Sequence, residues 1–342
     1  MEAYERLEQE LAVWLNSLGY SCGRQNVVVC SSGTAALHLA LEAFQLPLGS
    51  EVIVPDFTMV ACARAVTLAG LTPAFVDCDE RLSMDFDLMP MTKPYPVAVI
   101  AVHLYGRRCA MEWFDGMEED KYTEHRTYLI EDLAEAHGVK PYHQTDAACY
   151  SFYRNKIIAG EEGGAVVFKD VRHADLARQL RSLGFTEAHD FNHVPRGHNY
   201  RLANLLANEI LNGAQGLRFP VELRQKQRRE IESWYNAACP SEWRMPARDV
   251  VWVYDLRIPG MTYALQSMMV RQLNEMGIAA RHAFKPMHTL AEYEYCRVVG
   301  GYNSLRASQE VIYLPVQPGV TSQEYCRRAF KIVKQVVGST SL

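Results

Sequence analysis

Apolar residues near the start of the chain recur with helical spacing. Leu7, Leu11, Trp14 and Leu18 fall on one face, so an amphipathic helix is predicted there. Short β-rich runs then alternate with helical stretches. The runs cover residues 26–30, 51–55, 73–78, 97–104, 127–132, 148–153 and 165–168. Between the first two, Leu37, Ala40, Leu41 and Phe44 repeat with helical period. Seven strands alternating with helices predict an α/β fold with a mostly parallel sheet. Ligands of such sheets bind outside the carboxyl ends of the strands. From about residue 204 the pattern changes. A long polar helix over 222–234 leads to a smaller α+β part with strands at 250–258 and 279–281 and helices at 263–276 and 321–337. We therefore expect a large α/β domain over 1–215, then a linking helix and small C-terminal domain over 216–342.

Composition narrows the function classes. The 342 residues suffice for two domains with substantial cores. A net charge of -5 argues against a nucleic-acid partner. No apolar run is long enough to span a bilayer, and the acidic N-terminal segment does not resemble a signal peptide. The nine cysteines are odd in number and form no C-x-x-C pair. They point to a reduced, cytoplasmic protein with buried thiols.

The chemistry concentrates at the predicted strand ends. Ser151-Phe152-Tyr153-Arg154-Asn155-Lys156, followed by Gly160-Glu161-Glu162-Gly163-Gly164, sets a serine and an asparagine close before one lysine. An enzyme needs such parts to hold a phosphate while a lysine amine forms a Schiff base; a deprotonated amine is the nucleophile. Upstream, Ser31-Ser32-Gly33-Thr34 follows a strand and opens a helix, where backbone N–H groups and the helix dipole favour an anion. An ordinary Ser/Thr N-cap accounts for that segment equally simply. Asp132 ends an apolar strand at the ligand edge. An ionised carboxylate there can pair with a protonated ring nitrogen, as in pyridoxal phosphate (PLP) enzymes; a helix-capping acid is the alternative. Glu135 faces the same ligand or is a solvated helix charge. Asn199, in Gly197-His198-Asn199-Tyr200-Arg201, reaches a phosphate or belongs to an ordinary loop. His137 and His193 lack metal-ligand spacing, so no metal is expected. No Walker A, G-x-G-x-x-G or G-x-S-x-G pattern occurs.

In order, these motifs resemble the DegT/DnrJ/StrS family of PLP-dependent sugar aminotransferases, from about Val27 to the C-terminus. "SSGTAALHLAL" resembles the phosphate-binding helix start, and "EVIVPDFTMVACARAV" the next strand and helix. "IEDLAEAHG", "CYSFYRNK", "GEEGGAVVF", "GHNYRLANLLA" and "GIAARHAFKPMH" resemble the later family segments. The wording of "EDLAEAHG" and "SFYRNK" is closest to the perosamine-synthase-like branch, which aminates a 4-keto sugar nucleotide.

The resemblance implies the PLP fold-type I architecture and a homodimer with shared active sites. It implies Lys156 as the Schiff-base lysine and Asp132 as partner of the ring nitrogen. Gly33, Thr34 and Ser151 would hold the phosphate, joined by Asn199 of the neighbouring subunit. Glu135 would lie beside the ring, and His193, Arg281 and His288 near the sugar nucleotide. It further implies ping-pong transamination from an amino donor, glutamate, to a nucleotide-linked keto sugar. The sequence departs from the family pattern in places. Met59 stands where an aromatic residue often stacks on the ring, Arg154 replaces a small residue, and Glu161 replaces a glycine. Members also usually carry further residues before the first helix, including a loop near the active site. Two rivals are a PLP-dependent sugar dehydratase of the same family, in which a histidine replaces the lysine, and a non-catalytic binding protein. Lys156 stands against the first, and the Asp132–Lys156 pair against the second.

Overall fold

The computed structural model of the chain describes residues 2–89, 96–116, 127–186, 191–218 and 220–339. All seven expected strands form. They are β1 (Val27–Cys30), β2 (Glu51–Pro55), β3 (Thr72–Val76), β4 (Ala98–Val102), β5 (Tyr128–Asp132), β6 (Ala147–Ser151) and β7 (Gly164–Phe168). The helices of this part are α1 (Ala3–Ser17), α2 (Gly33–Ala43), α3 (Ala61–Leu68), α4 (Val171–Arg181) and α5 (Asn204–Asn212). The remainder contains α6 (Val221–Ala238), β8 (Val253–Arg257), α7 (Tyr263–Glu275), β9 (Arg281–His282), β10 (Val298–Val299), α8 (Tyr302–Glu310), β11 (Val311–Pro315) and α9 (Gln323–Ser339).

The large sheet runs in the order β1-β7-β6-β5-β4-β2-β3-β10. The pairs among β2, β3, β4, β5 and β6 are parallel, while β7 runs antiparallel to β1 and β6. The two-residue β10, from the C-terminal part, adds an eighth strand beside β3. Strands β1, β4, β6 and β7 are buried at every position. Such uninterrupted apolar runs are expected where helices cover both faces of a parallel sheet. On α1, Leu7, Leu11, Trp14 and Leu15 are buried, and the helix packs on α5 and β1.

The second sheet, β8-β11-β9, is antiparallel. It carries its own apolar cluster, including Tyr235 of α6, Met269 of α7 and Phe330 of α9. A buried ionic network joins this part to the turn after β4. Asp255 on β8 accepts two hydrogen bonds from Arg107, at 2.8 and 3.0 Å, and two from Arg248, at 3.0 and 2.6 Å. Burial alone would raise the Asp255 carboxyl, but the two guanidinium charges outweigh it and hold it low.

Candidate active site

The topology gathers the candidate residues along one edge. Because β7 is antiparallel, its first residue lies beside the last residues of its neighbours: Gly164 pairs with Cys30 on one side and Ser151 on the other. The ends of β1, β6, β5, β4 and β2 therefore lead into Gly33–Thr34, Ser151, Asp132, Tyr105 and Asp56–Met59 respectively.

Period-two alternation separates the two acids that end β5. Glu131 is enclosed, pairing with His103 at 2.6 Å and accepting from the Tyr142 N–H at 2.7 Å and the Thr145 hydroxyl. Asp132 accepts from the Ala134 N–H at 2.9 Å and from the Cys62 thiol at 3.3 Å. The Ala134 bond is the local capping contact that the sequence allows; it occupies one carboxylate oxygen.

Lys156 lies in the loop after β6. Its Nζ is 3.8 Å from Glu135 Oε1 and 4.1 Å from the centre of the Trp252 ring. Glu135 is buried rather than solvated, and its other oxygen accepts the Tyr105 N–H at 2.8 Å. Burial pushes the Glu135 carboxyl up to about 7, against the opposing pulls of Lys156 and the Tyr105 N–H. Beneath them His137 accepts the Ile158 N–H at 3.0 Å. Burial first, then the charges of Lys156 and Arg224, lower its imidazole to about 3, so it is neutral. The loop closes on the glycine-rich turn through bonds from Phe152 N to Gly163 O and from Gly160 N to Phe152 O.

At the helix start the capping reading of the Ser-Gly-Thr segment holds. Ser32 caps α2, its hydroxyl accepting from the Ala35 N–H at 3.1 Å while its carbonyl accepts from Ala36. Gly33 and Thr34 remain the leading donors of the helix, without a protein acceptor among the described residues. A Cβ on Gly33 would lie 2.8 Å from that of Ser151, and one on Gly164 would lie 2.3 Å from the Ser32 carbonyl. Two missing side chains thus let the helix start press against the ends of β6 and β7.

The family model for the DegT/DnrJ/EryC1/StrS aminotransferase family matches residues 4–333. The chain belongs to this family. It is a PLP-dependent aminotransferase. A GDP-perosamine synthase of Caulobacter vibrioides is 31% identical over 322 residues, which is 90% of this chain and 84% of the relative. A UDP-N-acetyl-3-dehydro-alpha-D-glucosamine 3-aminotransferase of Acidithiobacillus ferrooxidans is 38% identical over 193 residues, 53% of this chain and 49% of that one. Among solved structures, Helicobacter pylori PseC, an aminotransferase involved in the biosynthesis of pseudoaminic acid, superposes with a TM-score of 0.84 at 19% identity. The match covers 99% of this chain and 92% of that one.

The residues at the edge suit the family's cofactor. Two leading helix N–H groups, the Thr34 hydroxyl and the Ser151 hydroxyl are donors of the kind a phosphate would need. The close approach of Gly33 to Ser151 sets the helix start against the end of β6. Asp132 offers a carboxylate for a ring nitrogen, and Lys156 an amine for an aldehyde.

The other expected residues are spread more widely. Met59 is 49% exposed, between the end of β2 and α3. The His288 ring pairs with Asp56, at the same strand end, at 2.7 Å. Arg281 is exposed on β9, opposite Tyr313, whose ring lies 6.1 Å from that of Trp252. His193 is exposed and bound to the Leu183 carbonyl; among the described residues no bond or ring contact joins it to the lysine cluster. Asn199 is also exposed. Its segment is tied to α2, because His198 pairs with Glu42 at 2.6 Å and Tyr200 with His38 at 3.1 Å. Burial lowers the His38 imidazole to about 4, so it is neutral and meets Tyr200 through a hydrogen bond. Arg154 is exposed, its guanidinium 5.5 Å from the Tyr153 ring.

Sequence reasoning missed Cys62, Tyr105 and Trp252. A signal existed for Tyr105, because a Tyr-Gly pair directly beyond an apolar strand marks a turn at the ligand edge. No signal existed for Trp252, which reaches the lysine from far along the chain.

Proposed function

We propose that this aminotransferase moves the amino group of glutamate onto a nucleotide-linked 4-keto-6-deoxy sugar. One observation carries the reading: the Lys156 amine lies beside Glu135, which also feels the Asp132 charge, in a chain that is similar over most of its length to a GDP-perosamine synthase. Bound PLP supplies a conjugated ring that accepts an electron pair from the amine-bearing carbon. Gly33, Thr34 and Ser151 hold the phosphate, and Asp132 keeps a proton on the ring nitrogen. The Lys156 amine would move the proton between the substrate carbon and the cofactor carbon, acting as base and then as acid. Glu135 beside it holds a negative charge or a proton according to pH near neutrality.

On this reading residues 1–215 form the cofactor domain and residues 216–342 the linking helix and smaller domain. His193, Arg281 and His288 belong to the sugar-nucleotide side. The assembly is a homodimer in which Asn199 reaches the neighbouring subunit's phosphate, for which its exposure leaves it available. The nine free cysteines, all buried except the half-buried Cys22, favour a reducing, cytoplasmic setting. Among the described residues, no helix is long and apolar enough to cross a membrane.

The test charges the protein with glutamate and then supplies keto sugar nucleotides, following amino-sugar formation by mass spectrometry. The 4-keto-6-deoxy compounds should turn over fastest. Preference for a 3-keto compound, the alternative suggested by the Acidithiobacillus relative, would move the assignment to another carbon. Turnover with no sugar nucleotide would overturn it.

A further inference from the structure

The geometry points to Trp252 as a positioning residue that holds the amine of Lys156 when that amine is unbonded. The inference rests on the reading of Lys156 as the PLP lysine. Trp252 grips both halves of the Asn155–Lys156 dipeptide. Its indole N–H donates to the Asn155 carbonyl at 2.8 Å, and its ring lies 4.1 Å from the Lys156 Nζ. A cation over an indole face is attracted by the ring's quadrupole, and desolvation strengthens the attraction. Trp252 is only 4% exposed.

The ring is itself fixed. The Trp252 carbonyl accepts from Arg228 at 2.9 Å, and the same guanidinium nitrogen donates to the Val316 carbonyl at 2.8 Å. The Tyr105 ring stacks on the indole at 6.4 Å and 15°. Tyr105 also holds Glu135, the other group at the amine, through its backbone N–H. The amine thus rests between a carboxyl and a π face, and Tyr105 touches both supports. Trp252 precedes β8, so the C-terminal part of the chain supplies one side of the lysine's resting place.

Competitive trace labelling with acetic anhydride tests this on the full-length chain after PLP is removed with hydroxylamine. The Lys156 peptide is quantified at one fixed pH against the other lysine peptides of the same chain. Removing the ring frees the amine, so Trp252→Leu should label faster at Lys156, by about 3- to 30-fold. Trp252→Phe, which keeps a π face, should fall between the two. Equal labelling in wild type and Trp252→Leu would overturn the proposal. So would Trp252→Phe labelling as fast as Trp252→Leu, because the π face would then hold nothing.

A second measurement avoids altering Trp252. Tryptophan fluorescence should differ between wild type and Lys156→Met, because the amine lies against the indole face, and identical spectra would contradict the contact. Reduction of the PLP adduct at a different lysine would sink the functional reading while leaving this amine–ring coupling intact, so the two failures are distinguishable.

Discussion

The side chains at the strand edge differ in what they contribute, and substitutions can separate them. Asp132 is 7% exposed and has one oxygen on the Ala134 N–H and one on the Cys62 thiol. Asp132→Asn keeps the shape but removes the charge that would hold a ring nitrogen protonated. PLP should stay bound while the barrier rises by roughly 3–4 kcal/mol, the scale for losing a preorganised electrostatic partner. Near-normal kcat in that variant would reduce Asp132 to a capping residue. Glu135 makes a prediction about stability. Its carboxyl is raised from 4.5 to about 7 by burial, so the folded protein keeps a proton that the unfolded chain has lost across that window. Stability due to this group therefore falls as pH rises from about 4.5 to 7, and the full cost persists above. Glu135→Gln should remove that fall, gaining on the order of 1–3 kcal/mol relative to wild type across the window. Denaturant midpoints measured at several pH values check it; parallel curves would show that Glu135 is not a buried acid.

Elements and their order were the most legible level, because burial on both faces imposes an unmistakable pattern. The apolar runs of β1 to β7 announce a covered parallel sheet, and Leu7, Leu11 and Trp14 mark α1. The two-residue β10 left no pattern to detect, and β11 (VIYLP) is a short apolar run whose partners lie far away in the chain. Within the site, local motifs carried Gly33, Thr34, Ser151, Asp132 and Lys156, because each lies at the end of a strand or in the segment that follows it. Trp252, and the buried state of Glu135, depend on tertiary packing that adjacent residues do not encode. The junction of α2 with β6 can be tested as an element. Gly33→Ala places a Cβ 2.8 Å from the Ser151 Cβ, and Ser151 is fixed in the sheet. We expect about 1–3 kcal/mol of destabilisation from overpacking, together with weaker PLP retention, because the helix donors are pushed away from Ser151. Unchanged retention, measured by dialysis and absorbance, would show that this junction does not hold the phosphate.

At the scale of the whole molecule, the proposal makes the active site a property of the dimer. Asn199 is exposed on a segment anchored by His198 and Tyr200 to α2 of its own chain. If it binds only the neighbour's phosphate, cofactor affinity and assembly are thermodynamically linked. Mixing Asn199→Ala with Lys156→Ala subunits places both defects in one site of each mixed dimer and neither in the other, so activity should partly recover. Recovery of nothing, with mixed dimers demonstrated, would confine Asn199 to its own chain. The catalytic expectations depend on Lys156 being the lysine that binds PLP. Borohydride reduction of the PLP-loaded protein, followed by intact mass and peptide mapping, measures this directly. One reduced PLP adduct per chain should form, at Lys156; an adduct at Lys169 or any other lysine would contradict this assignment.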